Sequence, residues 1–219
     1  MSLPANTPTF EDFVNHLFDH DPTVWMWHFQ ADSPSWECAE ELTIDFISRL
    51  FTDQTKILER FSDAQLNQGF WYLLTDISWG LHSDAVPEQK QIECLRSFVP
   101  LFSNVFNLRC TPHLDHLDGA VSGHLNTVCY MWWDVLPIHG EPQMQTCRLR
   151  DATALAVMEE ITKLESICCQ ESALHGLGHW HAAYPKEVEA IIARYISRNQ
   201  QAPAELLSYA KAAMKGDVQ

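Results

Sequence analysis

The sequence predicts an all-α protein. Apolar residues recur at i, i+3, i+4 spacing from one end of the chain to the other. Proline and serine or threonine stand repeatedly where helices start. An alternating strand pattern beside a hairpin turn occurs nowhere, so strands are expected to be absent or trivial.

In chain order, Phe10, Phe13, Val14, Leu17 and Phe18 mark one helical face, started by Thr7-Pro8. Ser33-Pro34 repeats the device before Trp36, Ala39, Leu42, Phe46 and Leu50. Ser62-Asp-Ala-Gln65 is a capping box ahead of Leu66, Phe70, Leu73, Leu74 and Ile77. Pro87 opens a helix with Leu95, Phe98, Val99, Phe102 and Phe106 inward. Pro100 lies inside that pattern and predicts a kink near Phe98. A helix over 118–133 follows, then a loop at Pro137–Pro142. Leu155, Met158, Ile161, Leu164 and Cys168 mark another helix. A short helix over Glu171–Trp180, one carrying Val188, Ile191, Ile192 and Tyr195, and one carrying Leu206, Leu207, Ala210 and Met214 complete the chain. The last ends at Gly216, in the position that favours glycine.

A chain of 219 residues fits one all-α domain over 1–219, irregular over 1–150 and regular over 151–219. Of the eight tryptophans, Trp25, Trp27, Trp36, Trp71 and Trp79 fall before residue 80, predicting a bulky, rigid core in that half. With 14 basic and 29 acidic residues, the formal charge is −15. That sign opposes phosphate backbones and anionic lipid, so neither nucleic acid nor membrane is an expected partner; a basic protein is. The chain opens without a basic and apolar leader, and no apolar run reaches the roughly 18 residues a membrane span needs. Seven cysteines in that context are expected to be reduced, buried small hydrophobes in a cytoplasmic protein.

Three short amphipathic helices separated by proline-bearing turns suggest stacked hairpins, since each must bury its face against a neighbour. Ser172-Ala-Leu-His-Gly-Leu-Gly-His179, followed by Pro185, Val188 and Ile191-Ile192, resembles a HEAT or armadillo-type repeat over 170–216. The resemblance implies a superhelix of helix pairs that binds other proteins and rarely catalyses. The first 150 residues show no fixed period, leaving a non-repeating bundle as the alternative.

Three constellations could carry chemistry. In Thr111-Pro-His113-Leu-Asp115-His116-Leu-Asp118-Gly119, His113, Asp115 and His116 resemble the metallo-β-lactamase signature. Thr111 replaces its first histidine and no strand precedes the loop, so it reads as a polar turn into a helix. His175 and His179, with His181 just beyond, stand at i and i+4 on one helical face, a spacing that holds zinc when a third ligand is supplied. The helical zinc-protease motif has glutamate after its first histidine; Gly176 stands there instead. Two glycines inside a helix, Gly176 and Gly178, cost about 1 kcal/mol each against alanine and point to close packing of a neighbour. In Cys129-Tyr-Met-Trp-Trp-Asp134, preceded by His124, Asp134 could be a desolvated general acid or a cap of the following turn. Cys129 has no base at a diagnostic spacing. Phosphate-cradling glycine loops and nucleophile elbows are absent from the sequence.

The sequence therefore favours a non-enzymatic, acidic helical module that docks a basic protein, in the manner of an immunity-type or inhibitory protein, without a cofactor. The alternative is a metal-dependent hydrolase drawing on His113, Asp115, His116, His175 and His179.

Overall fold

The computed structural model describes residues 7–24, 26–53, 55–118 and 123–218. Among these residues there is no strand, and the architecture is all-α. No described helix is long and apolar enough to cross a membrane. Trp25, the opening residues 1–6 and residues 119–122, which include Gly119, lie outside the described residues.

Helix α1 (Phe10–Phe18) buries the five apolar residues its spacing predicts. Its cap is Thr9, two residues after the expected Thr7: the Thr9 hydroxyl accepts from the Asp12 amide, and the Asp12 carboxylate accepts from the Thr9 amide at 2.8 Å. Helix α2 (Glu40–Thr52) starts later than Ser33-Pro34 suggested, and its inward face is Ile44, Phe46, Ile47, Leu50 and Phe51. Trp36 lies before the helix and packs on the core from outside it. Helix α3 (Asp63–Tyr72) carries the Ser62–Gln65 capping box. It runs on as a π-turn over Leu73–Ile77 and a 3₁₀ turn over Ser78–Leu81.

Helix α4 (Glu88–Leu101) is capped by Pro87 and holds Pro100 within its last turn. Pro100 has no N–H to give, and the chain responds by widening into a second π-turn over Phe102–Phe106. Short helices follow: α5 (Asn107–Arg109), α6 (Asp115–Asp118), α7 (Asn126–Tyr130) and α8 (Trp132–Val135). The single helix expected over 118–133 is thus, where described, two pieces broken at Met131.

Helix α9 (Arg148–Ile161) and helix α10 (Ile167–Trp180) divide the stretch read as one helix through Cys168. One tertiary and one local bond fix the stretch between them. Asn107 accepts from the Ser166 amide at 2.9 Å, and Gln170 donates to the Leu164 carbonyl at 2.7 Å. Helix α11 (Pro185–Arg198) has proline at its start, and α12 (Ala204–Ala213) precedes Gly216, whose φ of +72° suits glycine.

One connected apolar cluster runs from Phe10 to Ala213. The expected tryptophans divide. Trp27 is buried, Trp36 and Trp71 are half-buried against the core and Trp79 is 56% exposed, while Trp132 and Trp133 are buried in the other half. The Trp132 ring sits among Phe51, Phe70, Phe98, Phe102 and Phe106, with ring centres 5.4 to 6.2 Å away. These phenylalanines come from α2, α3, α4 and the second π-turn, so four segments clamp α8. Helix α10 packs against α7, α8, α9, α11 and α12.

Candidate functional site

Residues 126–135 and helix α10 lie side by side and run in the same direction. Successive contacts record it. Cys168 Sγ is 4.0 Å from the Asn126 carbonyl, and Ser172 donates to the Cys129 carbonyl. The His175 ring lies 4.2 Å from that of Tyr130, and His179 Nε2 is 3.4 Å from Asp134 Oδ1. Gly176 allows this closeness. A methyl group placed there would lie 2.5 Å from Trp133 Cβ and 2.9 Å from Met158 Sδ. At Gly178 it would lie 2.6 Å from a methyl of Val218. The close packing expected of both glycines is present.

The histidine face of α10, flanked by Gly176 and Gly178, meets Tyr130 and Asp134. Ligand atoms of Asp134, His175 and His179 all lie within 4.8 Å of one another. The two Nε2 atoms are 3.1 Å apart. Bonds of 2.0–2.2 Å in a tetrahedral site would set donor atoms about 3.4 Å apart; the His179–Asp134 edge is 3.4 Å, the His175–His179 edge is a 3.1 Å hydrogen bond, and the His175–Asp134 edge is within 4.8 Å.

His175 is 1% exposed, and burial holds its pKa down to about 3, with the His179 and His116 charges adding to the effect. It is therefore neutral, the form that ligates a metal. Its Nδ1 lies 2.7 Å from the Tyr209 hydroxyl, which is 2.9 Å from the Tyr130 hydroxyl. With the proton on Nδ1, His175 donates to Tyr209 and leaves Nε2 as a lone pair facing His179. Burial raises the pKa of both tyrosines, so they stay protonated hydrogen-bond partners. The side chains of His179 and Asp134 are 37% and 36% exposed, so the third side of the cluster opens to solvent.

Behind Tyr209 lies a second polar group. The His116 ring stacks on Tyr209 at 4.3 Å and pairs with Glu171 through Nδ1. Glu171 is fully buried, which raises its pKa against the opposing pull of His116. Its carboxylate also accepts from the Asp115 amide at 2.8 Å and the His116 amide at 3.2 Å, fixing the start of α6 to α10.

The candidate residues thus fall into three places. His175, His179 and Asp134 converge. Asp115 and His116 belong to the adjoining Glu171 group, where Asp115 accepts from the Thr127 hydroxyl at 3.2 Å. His113 is exposed, its Nδ1 3.3 Å from the Thr111 hydroxyl. The loop resembling a metallo-β-lactamase signature follows helix α5 and is closed by Asn126, which accepts from the Thr111 amide at 3.0 Å. His124 is exposed, and His181 turns away to Glu189 at 3.5 Å. Sequence reasoning missed Tyr130, Tyr209 and Glu171. It also missed a thiol group below them: Cys110, Cys129 and Cys168 place their sulfurs within 4.8 Å of one another. Hydrogen bonds from Cys129 and Cys168 pull the Cys110 thiol down to about 6.

No family model, curated protein or solved structure matches the chain.

Proposed function

We propose that the chain is a metal-dependent hydrolase whose cation is held by Asp134, His175 and His179. One observation carries the reading: three ligand atoms from two separate helices lie within 4.8 Å of one another with one side open to solvent. Structural metal sites close all four positions with protein groups, whereas catalytic sites keep one for water or substrate. A cation there would lower the pKa of its bound water and polarise a substrate bond. Tyr209 orients His175 through Nδ1, the role that outer hydrogen-bond partners play for ligating histidines. His116, stacked on the same tyrosine and paired with the buried Glu171, holds Tyr209 in place on the inner side of the group.

Elemental analysis of protein purified without chelator should find zinc, iron or manganese that falls by one equivalent in His179→Ala and in Asp134→Ala. Chelator should lower the Tm of the wild type more than that of either variant. Equal metal content in wild type and both variants would overturn the reading.

The formal charge of −15 favours a second reading, a docking module for a basic protein of the immunity or inhibitor kind. In that reading α10, α11 and α12, which touch one another and open at Pro185 and Pro203, form part of a HEAT-like superhelix. The readings part at His179→Ala, which removes a metal ligand and leaves a docking face intact.

A further inference from the structure

Four of the seven cysteines meet where the end of α5, helix α7 and the start of α10 come together. The sulfurs of Cys110, Cys129 and Cys168 lie mutually within 4.8 Å, and Cys169 follows Cys168 on α10. The remaining cysteines are placed differently. Cys94 packs between Ser48 and Ser97, and Cys147 donates to Glu141 at 3.4 Å. Cys129 and Cys168 are fully buried, while Cys110 is half-buried and gives the group an edge toward the surface.

We propose that Cys110, Cys129 and Cys168 form a thiolate site for zinc, separate from the Asp134–His175–His179 group. Three sulfurs and no oxygen ligand select a soft cation over calcium or magnesium. Among soft cations, charge decides. Three thiolates leave a net −1 around Zn²⁺ and −2 around Cu⁺, and burial disfavours the larger residue of charge. Bonds of about 2.3 Å set tetrahedral sulfurs about 3.8 Å apart, so zinc would draw the three inward by no more than about 1 Å. The fourth position falls to water. Each ligating thiol gives its proton to solvent as it binds, so loading releases up to three protons per zinc. The two sites share α10 but not their ligands. Cys168 and His179 are eleven residues apart on that helix, roughly 16 Å of axial rise.

Cobalt(II) serves as the probe because thiolate ligands give it intense sulfur-to-metal charge-transfer absorption, which imidazole and carboxylate ligands do not. Added without oxygen to the reduced, metal-free chain, it should produce that absorption, saturating at one equivalent, and zinc should abolish it. Cys110→Ser, at the half-buried edge, and Cys168→Ser should each lose the absorption, and zinc affinity should fall by more than the roughly 10–100-fold that loss of an outer hydrogen bond causes. Cys94→Ser and His179→Ala should keep it, which separates this site from the histidine site. If Cys168→Ser fails to fold, the folded Cys110→Ser variant decides. Wild-type protein without charge-transfer absorption, or Cys110→Ser retaining all of it, would overturn the proposal.

Discussion

Gly176 and Gly178 flank the same histidine-bearing face of α10, yet a methyl group at each position meets a different kind of neighbour. At Gly176 it meets Trp133 Cβ, an atom fixed to the backbone; at Gly178 it meets the end of the Val218 side chain near the chain terminus. Overpacking costs about 1–3 kcal/mol, against about 1 kcal/mol gained in helix propensity. Gly176→Ala should therefore lower unfolding free energy in urea, and Gly178→Ala should be near neutral; equal effects would refute the distinction. A second residue-scale prediction concerns His16. Burial beside Trp27, Trp36 and Tyr72 lowers its pKa to about 4, with the His20 charge adding. Its unfolded value is about 6.5, so the unfolded state binds the extra proton between those values. The contribution is whole above pH 6.5 and is lost as pH falls toward 4. The Tm of His16→Gln should fall less steeply than that of the wild type across this window, and parallel slopes would count against it.

Helix faces were legible wherever one face meets one core. The five residues marking α1 are all buried, and Val188, Ile191, Ile192 and Tyr195 line α11 as their spacing indicates. Ends were legible where the cap is local. The Ser62–Gln65 box is made as written, with the Gln65 amide donating to the Ser62 hydroxyl at 3.3 Å. Ser62→Ala should cost about 1 kcal/mol in a denaturant melt, and a loss below 0.3 kcal/mol, roughly the error of such a melt, would mean the box is not stabilising. Ends were illegible where a distant residue makes the cap. Nothing in Leu155–Cys168 announces that α9 will end at Ile161, or that Asn107 will take the Ser166 amide at the start of α10. The site divides the same way. The i, i+4 pair His175 and His179 is readable because both lie on one helix, whereas Asp134, Tyr209 and Glu171 join it through packing. The stretch from Thr111 to His116 resembles a family's spacing, and only the helices around it decide that His113 points outward while His116 points in.

At the scale of the whole molecule, −15 formal charges on 219 residues repel one another more in the compact state than in the expanded one. The Debye length shrinks from about 30 Å at 0.01 M salt to about 8 Å at 0.15 M. Raising sodium chloride over that range should therefore raise the Tm of the metal-free protein. A flat or falling Tm would show that favourable ion pairs, such as Arg194–Glu159 and Arg109–Asp63, outweigh the repulsion.

The parallel run of residues 126–135 beside α10 also sets the order of events in folding. Two antiparallel helices can zip from a short turn, but parallel neighbours need a crossover, and here it is the 31-residue stretch 136–166 that contains α9. Closing a loop of that size costs on the order of 3 kcal/mol in chain entropy before any contact repays it. Docking α9 on α4 shortens that closure, so Asp134 is expected to meet His179 after it. In pulse-labelled hydrogen exchange, amides of α7, α8 and α10 should become protected together and later than those of α2 and α4, making the histidine cluster a late product of folding rather than its nucleus.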